Sequence, residues 1–239
     1  MVASSTELEK FERALVIVAH PDDAEFGAAG TVALWVEQGV EVNYVICTDG
    51  ASGLADPSLK LTDLVAVREA EQREAADVLG VKQIEFLRQP DGRLRPTDEL
   101  RARIVGLIRK YRPDRIICQN AVRNYSNLYG NHPDHLAAGQ LAIEAVYPYA
   151  RNPYAYPELL AAGLQPFSVR EVLVSGTETP DFFVDVTATV GRKLAALARH
   201  KSQQSPGEDF SERVLQRMAM MGEPHGIAYA ESFRLLKST

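Results

Sequence analysis

Two short clusters of histidine, proline and aspartate carry the residue types in this chain that are best suited to catalysis. Residues 20–23 read His-Pro-Asp-Asp and residues 132–135 read His-Pro-Asp-His. Imidazole and carboxylate groups are usual ligands of catalytic zinc, which keeps three protein ligands and leaves one position for water. The clusters therefore predict a metal-dependent hydrolase, with side chains left over for proton transfer.

The spacing within the first cluster predicts different roles for its side chains. His20 and Asp23 are three residues apart at a predicted strand-to-helix turn, so both can reach inward while Asp22 is aimed differently. We expect His20 and Asp23 to bind the metal. We expect Asp22 to be the general base, because a carboxylate beside the attacking water can take its proton and deliver it to a leaving amine.

In the second cluster, Pro133 suits the first turn of a helix, which puts His132 at the helix entrance and His135 inside it. We expect His135 to be the third ligand, and His132 to stabilise the developing oxyanion or act as an acid. Asp134 is a candidate to orient an imidazole. Spacing alone does not decide which of the two histidines binds the metal.

A capped turn is the ordinary explanation for one such cluster, since proline fixes the backbone and aspartate caps the next helix. Repetition at two predicted strand-to-helix junctions, with three of the five histidines, favours the metal centre. We expect Zn²⁺, although a His/His/Asp set also suits iron, cobalt and manganese.

Short apolar runs alternate with helical patterns along the chain, which predicts an α/β fold: a Rossmann-like, three-layer αβα arrangement with a mostly parallel sheet. Ligands of such sheets bind beyond the carboxyl ends of the strands, so we expect the active site there. The predicted strands are 14–19, 41–48, 83–87, 115–119 and 169–175, and the predicted helices are 27–38, 61–79, 97–111, 133–147 and 186–202.

Three further residues are candidate substrate contacts. Asp49 and Asn120 each follow a predicted strand at its carboxyl end. Tyr154 belongs to the loop 148–166, which is rich in proline and tyrosine, and its ring could cover a sugar. An oligomer contact or a stiffened surface loop explains that loop equally well.

Composition limits the classes of function. The 239 residues are 46% hydrophobic and carry a formal charge of −6, so we expect one domain over 1–239 and no nucleic-acid partner. Residues 1–13 lack the apolar run of a secretory signal, and no run is long enough for a membrane span, so we expect a cytoplasmic protein without a membrane partner. A homo-oligomer is left open.

At the two clusters the chain resembles the PIG-L/LmbE-like family of zinc-dependent N-deacetylases. The similarity extends to residues 48–50, 67–80, 90–92 and 197–203. Members remove acetyl groups from N-acetylglucosaminyl moieties of lipids, thiol conjugates, antibiotics and sugars. The resemblance implies the same fold and the same roles for the two clusters, with a small N-acetylated sugar conjugate as substrate.

The sequence leaves three other functions to consider. A metal-dependent hydrolase could cleave another amide or an ester of a glycoside conjugate, and an inert family member would only bind a sugar. A dinucleotide-binding module is opposed, because residues 27–30 lack the glycine fingerprint that cradles pyrophosphate.

Several polar and apolar residues have ordinary explanations in the sequence. Arg68 and Glu71, three apart on a charged helix, are expected on a solvated face. His200 is expected to be packed or solvated, and only the family resemblance suggests an indirect contact with the site. The methionines at 218, 220 and 221 are expected to pack in the core or in an interface.

Overall fold

Seven strands form one mixed sheet within residues 10–53, 60–126, 128–204 and 210–238, the ranges that the computed structural model describes. The order across the sheet is β3-β2-β1-β4-β5-β7-β6. Strands β1 to β5 are parallel, and β7 runs antiparallel to both β5 and β6. The strands are β1 Arg13–Val18, β2 Glu41–Thr48, β3 Gln83–Gln89, β4 Arg115–Gln119, β5 Glu171–Ser175, β6 Phe182–Asp185 and β7 Ala230–Lys237.

Helices cover both faces of the sheet. Alternate side chains of the central strands point to opposite faces, so each face has its own apolar core. In β1, Val16 packs with Trp35 and other residues of one apolar core, while Ile17 packs with Ile104 in a second core on the other face. The helices are α1 Asp23–Glu37, α2 Leu61–Leu79, α3 Asp98–Tyr111, α4 Pro133–Glu144, α5 Pro157–Ala161, α6 Val190–Leu197 and α7 Phe210–Gly222.

The predicted fold class is confirmed, and the differences lie at element ends and near the C-terminus. Helix α4 ends at Glu144, because the chain leaves helical geometry at Tyr147, before Pro148. Helix α6 ends at Leu197, so His200 lies beyond it rather than inside a helix over 186–202. Strands β6 and β7 and helix α7 are absent from the prediction, and so is the five-residue helix α5, which lies within the predicted loop 148–166. Short antiparallel strands give a weaker apolar signal than buried parallel ones.

Helix α4 approaches the sheet closely because of one glycine. A Cβ at Gly139 would lie 2.2 Å from the backbone oxygen of Gln119, the last residue of β4. This close contact fixes the helix that carries His135 against the strand that ends beside the site.

None of the described helices is long and apolar enough to cross a bilayer. Residues 1–9, which make up most of the N-terminal stretch expected to lack a secretory signal, lie outside the described ranges.

A buried ion pair joins α1, α6 and β7. Lys193 Nζ donates to Glu231 Oε1 at 2.6 Å and to the Phe26 carbonyl at 2.8 Å. The Glu231 carboxylate also accepts the backbone N–H groups of Gly30 and Thr31, at 2.9 and 2.7 Å. The pair therefore fixes helix α1, whose first residue is Asp23, against the C-terminal part of the fold.

Replacing Lys193 by methionine should lower the free energy of unfolding by about 3–5 kcal/mol, because Glu231 would be left buried without its cation. Urea denaturation followed by circular dichroism measures the change. The control is Lys82→Met, which breaks an exposed ion pair with Glu41 and should change stability by less than about 1 kcal/mol. Equal effects of the two substitutions would contradict the expected role of the buried pair.

Candidate active site

The site lies at the carboxyl end of β1, where the strand order reverses. Strand β1 pairs with β2 on one side and with β4 on the other, so the connections that follow β1 and β4 diverge and leave a crevice. His20 follows β1, Asn120 follows β4, and the helix α4 that begins at Pro133 returns to the same edge. This topology brings together two clusters that are more than a hundred residues apart in the sequence.

Three side chains from the two clusters converge on one point. His20 Nδ1 lies 3.1 Å from Asp23 Oδ2 and 3.2 Å from His135 Nε2, and His135 Nε2 lies 3.1 Å from Asp23 Oδ1. Ligand atoms that share a zinc ion at about 2.0–2.2 Å are roughly 3–3.5 Å apart. The donor set of two imidazoles and one carboxylate therefore fits a divalent transition metal.

The Asp23 carboxylate is held independently of any cation. The backbone N–H of His20 donates to Asp23 Oδ2 at 2.8 Å, across the turn that starts helix α1. Burial opposes ionisation of Asp23, but hydrogen bonds from His135 and His20 outweigh it and hold its pKa well below the usual range. The carboxylate is thus ionised and aimed at the two imidazoles.

Asp22 has a backbone conformation that few residues other than glycine adopt. Its φ is 94° and its ψ is −27°, and it stands directly before helix α1 without capping it through its side chain. Such a conformation costs about 1–3 kcal/mol and persists only where the surroundings enforce it. Burial and the neighbouring Asp23 raise the pKa of Asp22 to about 7, against the lowering effect of Arg68. A carboxyl group with that pKa can both take up and release a proton near neutral pH.

The second histidine cluster separates its two imidazoles by their hydrogen bonds. His132 Nδ1 accepts the backbone N–H of Asp134 at 3.2 Å, which leaves Nε2 as the nitrogen that carries the proton of a neutral ring. Burial lowers the pKa of His132, and so do the rings of His20 and His135. Although the ligating atoms of all three histidines lie within 4.8 Å of one another, only His20 and His135 also contact Asp23.

Two further carboxylates lie at the other nitrogen of His20. Its Nε2 lies 3.0 Å from Asp91 Oδ1 and 3.4 Å from Asp134 Oδ2. Burial alone would lower the pKa of His20, but the carboxylates of Asp23 and Asp91 raise it to about 10. An excess of carboxylate around one imidazole is what a bound cation would neutralise. Asp91 is not among the site residues predicted from the sequence, where its only signal is its place in the Pro-Asp-Gly segment 90–92.

Asp134 also supports the backbone that carries Asp91. It is fully buried, and its two oxygens accept the N–H groups of Gly92 at 2.7 Å and Leu94 at 3.1 Å. One carboxylate therefore fixes the turn after β3 and lies close to His20.

Asp134→Ala should lower the free energy of unfolding by about 2–4 kcal/mol, because two N–H groups would lose their acceptor. It should also weaken metal binding by about 10- to 100-fold, as loss of a group that orients a ligand usually does. Denaturation and chelator competition measure the two effects. Asp134→Asn, which keeps one acceptor oxygen, should be less destabilised, and an equally large loss in both variants would argue against these hydrogen bonds as the cause.

A cavity of about 900 Å³ opens beside Asp23 and His135. Its walls come from the start of α1, the ends of β4 and β5, and the segment from α6 to β7. Pockets for small organic ligands commonly have about 300–1,000 Å³, so this cavity can hold a sugar conjugate larger than one ring. Asp23 and His135 thus stand at the wall of a space suited to a small polar molecule.

Comparisons with known proteins identify the family of this chain. The family model for PIG-L, described as GlcNAc-PI de-N-acetylase, matches residues 15–146. A diacetylchitobiose deacetylase from Thermococcus kodakarensis is 35% identical over 227 residues, covering 94% of this chain and 83% of that protein. The chain belongs to the PIG-L family.

Other relatives extend the same likeness. The solved N,N'-diacetylchitobiose deacetylase from Pyrococcus horikoshii, complexed with its inhibitor MPG, has a TM-score of 0.89 and 34% identity, covering 96% of this chain and 85% of that one. A probable N-acetyl-alpha-D-glucosaminyl L-malate deacetylase 2 from Bacillus cereus is 28% identical over 79% of this chain and 82% of that protein. These PIG-L relatives are named as deacetylases of different acetylated sugars.

Of the candidate substrate contacts, only Asn120 lines the cavity of this PIG-L family member. Asp49 Oδ1 instead accepts the N–H groups of Ala51 and Asp91, both at 3.1 Å, so it holds two loops at the rim. Tyr154 is 89% exposed and does not line the cavity. The prediction that its ring covers a substrate finds no support in this placement.

The expected solvated face of α2 is wrong at Arg68 and Glu71. Arg68 is 2% exposed and its Nη2 donates to the Pro21 carbonyl and to Asp22 Oδ2. Glu71 is buried and accepts the N–H and hydroxyl of Ser202, both at 2.7 Å. Arg68 faces the turn at 21–22 and Glu71 faces the segment after α6, because that turn and that segment both pack against α2.

The methionines of α7 divide between two environments. Met218 is buried and, with Met221, lines the cavity, whereas Met220 is 66% exposed. The expectation of packing holds for Met218, but the two cavity-lining side chains also give part of this wall an apolar, adaptable surface.

Proposed function

We propose that this chain is a metal-dependent N-deacetylase that hydrolyses the acetamide of an N-acetylglucosamine-type sugar conjugate. The observation that carries the proposal is the convergence of His20, Asp23 and His135 within 3.1–3.2 Å, with Asp22 beside them and a cavity of about 900 Å³ in front. Family membership supports the same reaction, because the relatives are named as deacetylases.

His20, Asp23 and His135 would hold the metal, which we propose to be Zn²⁺. Deacetylases of the PIG-L type depend on a metal ion. When bound, such an ion supplies Lewis acidity, which activates a water molecule and polarises the substrate carbonyl. The carboxylates of Asp91 and Asp134 orient His20 so that its Nδ1 faces the other two ligands.

The remaining side chains move protons and stabilise charge. Asp22 takes a proton from the attacking water while the water oxygen bonds to the acetamide carbon. His132 donates from Nε2 to the carbonyl oxygen as negative charge develops on it, since its Nδ1 is occupied by the Asp134 N–H. Asp22 then delivers its proton to the amide nitrogen as the carbon–nitrogen bond breaks. The products are acetate and a free amine.

The substrate class follows from the cavity and the relatives. Diacetylchitobiose is the first substrate to test, because it gives its name to the relatives from Thermococcus kodakarensis and Pyrococcus horikoshii.

The cavity walls include both Asp23 near the start of the chain and Glu231 near its end. That supports treating residues 1–239 as one functional domain.

Elemental analysis of the purified protein, combined with acetate release from diacetylchitobiose and monomeric N-acetylglucosaminides, tests the proposal. We expect about one metal ion per chain, since one set of three ligands converges, and acetate release that a chelator abolishes and added Zn²⁺ restores. Metal binding without acetate release from any acetylated glucosaminide would overturn the reaction. Failure to bind metal after reconstitution would overturn the site itself.

A further inference from the structure

The strained turn at Asp22 is held from helix α2 by two side chains one helical turn apart. Arg68 Nη2 donates to the Pro21 carbonyl and, at 3.3 Å, to Asp22 Oδ2. Gln72 Oε1 accepts the backbone N–H of Asp22 at 2.9 Å. The two contacts hold both polar ends of the peptide group that joins Pro21 to Asp22, and Arg68 also holds the Asp22 carboxylate.

The Gln72 amide can adopt only one of its two orientations. Its Nε2 donates to both oxygens of Glu25, at 3.0 and 3.1 Å, and both side chains are fully buried. A carboxylate accepts hydrogen bonds and cannot donate them, so Nε2 must face Glu25 and Oε1 must face the Asp22 N–H. A flipped amide would set oxygen against carboxylate and NH₂ against N–H. The orientation that binds Asp22 is therefore built in.

A histidine fixes the carboxylate that sets this orientation. His200 Nε2 lies 3.2 Å from Glu25 Oε2, and His200 is 2% exposed in the wall of the cavity. The buried series His200, Glu25, Gln72 and Asp22 thus connects the cavity wall to the backbone of the proposed base. Within this series the Gln72 amide and the Glu25 carboxylate have hydrogen-bond partners, whereas His200 Nδ1 has none among the described residues. The matched donors and acceptors of Gln72 and Glu25 favour one geometry of the pair.

The metal ligand next to Asp22 does not depend on this series. Asp23 is held by the His20 backbone N–H at 2.8 Å and by the rings of His20 and His135. Loss of the Gln72 contact should therefore disturb Asp22 and leave the ligand set in place.

We propose that Gln72 is a positioning residue. It accepts the backbone N–H of Asp22 and so holds the Asp22 carboxylate in the orientation that catalysis requires, while Glu25 and His200 fix the orientation of the Gln72 amide. This role rests on the proposed function only for its kinetic consequence. The structural half concerns the Asp22 turn alone and can be tested in a protein of any activity.

Gln72→Met tests both halves, because methionine keeps the length and volume of glutamine without the amide. Amide hydrogen exchange measured by NMR should show exchange at Asp22 that is about tenfold faster, which corresponds to one lost hydrogen bond. With diacetylchitobiose, kcat should fall about 10- to 100-fold while KM and metal affinity change little, since a misplaced catalytic group costs rate rather than binding. Gln140→Met, on the exposed face of α4, is the matched control and should match the wild type in Asp22 exchange, kcat, KM and metal affinity.

Exchanging the side chains of Glu25 and Gln72 distinguishes loss of their contact from general destabilisation of the protein. In Gln72→Glu, two carboxylates would face each other, and kcat should fall. The double variant Glu25→Gln, Gln72→Glu restores a donor opposite the carboxylate, while residue 72 still offers an oxygen to the Asp22 N–H. Recovery of slow Asp22 exchange and of most of the lost kcat in this double variant is the expected result.

Two outcomes would overturn the proposal: unchanged Asp22 exchange in Gln72→Met, or a folded, metal-loaded double variant that remains as impaired as Gln72→Glu. If the wild type released no acetate, the proposed function would fail, yet the exchange of the Asp22 amide would still decide whether Gln72 holds this turn.

Discussion

Asp22→Asn should lower kcat by about 10³-fold while leaving the metal content of the protein unchanged. Asparagine tolerates the left-handed conformation that residue 22 adopts, so the backbone with φ of 94° should survive the substitution. The amide cannot take a proton from water at neutral pH, and so it removes the base without removing a ligand. Metal analysis and acetate release on the same preparation measure both effects.

The control for this substitution is Asp77→Asn, which changes an exposed aspartate of helix α2 and should leave kcat unchanged. If Asp22→Asn retained wild-type turnover, Asp22 would not be the base, and another group would have to carry the proton. If it instead lost its metal, residue 22 would belong to the ligand set.

His135→Ala should deprive the protein of its metal. The Nε2 atom of His135 lies 3.2 Å from His20 Nδ1 and 3.1 Å from Asp23 Oδ1, so its loss leaves two of the three converging groups. Removing a group that only orients a ligand weakens metal binding by about 10- to 100-fold, and removing a ligand should exceed that range. We expect acetate release to fall below about a thousandth of the wild-type rate, the scale on which metal-assisted water activation acts.

His225→Ala is the matched control, because His225 stacks on Phe183 with ring centroids 3.9 Å apart and does not line the cavity. It should bind metal as the wild type does. His132→Ala separates the two histidines of the second cluster: it should keep the metal and lose turnover. The reverse result, with metal retained in His135→Ala and lost in His132→Ala, would exchange their roles.

The sequence predicts those site residues that lie close together in short clusters along the chain. The convergence of His20, Asp23 and His135 was predictable because imidazole and carboxylate side chains form dense clusters at strand ends, and a parallel sheet brings such ends together. Asp91 was missed because a Pro-Asp-Gly segment is typical of any turn. Its contact with His20 depends on the turn after β3, which Asp134 holds from a distant part of the chain.

Tertiary packing explains the remaining differences. Gln72 and Arg68 lie on a helix whose composition suggests a solvated surface, and only the packing of α2 against the turn at 21–22 buries them. Tyr154 was selected because its loop is aromatic and rich in proline, yet composition does not tell where a loop lies, and this one stays at the surface. Helix α7 and strand β7 were not predicted, so the part of the cavity wall that they form was not predicted either.

The segment that matches the family model and much of the cavity wall lie in different parts of the chain. The family model covers residues 15–146, which include both histidine clusters, whereas many residues of the cavity wall come from positions after 174. The chemistry can therefore stay constant while the wall changes. That division is consistent with relatives named for different acetylated sugars.

The left-handed backbone at Asp22 sets stability against catalysis at a single position. Glycine adopts that conformation without strain, and the relief of about 1–3 kcal/mol exceeds the roughly 0.5–1 kcal/mol that its greater freedom in the unfolded chain costs. In a library of variants selected only for heat resistance, Asp22→Gly should therefore accumulate. The selected proteins would be more stable but would lack the proposed general base. Laboratory evolution of this enzyme has to select for turnover in every round, because one available gain in thermostability lies at the residue on which the proposed reaction depends.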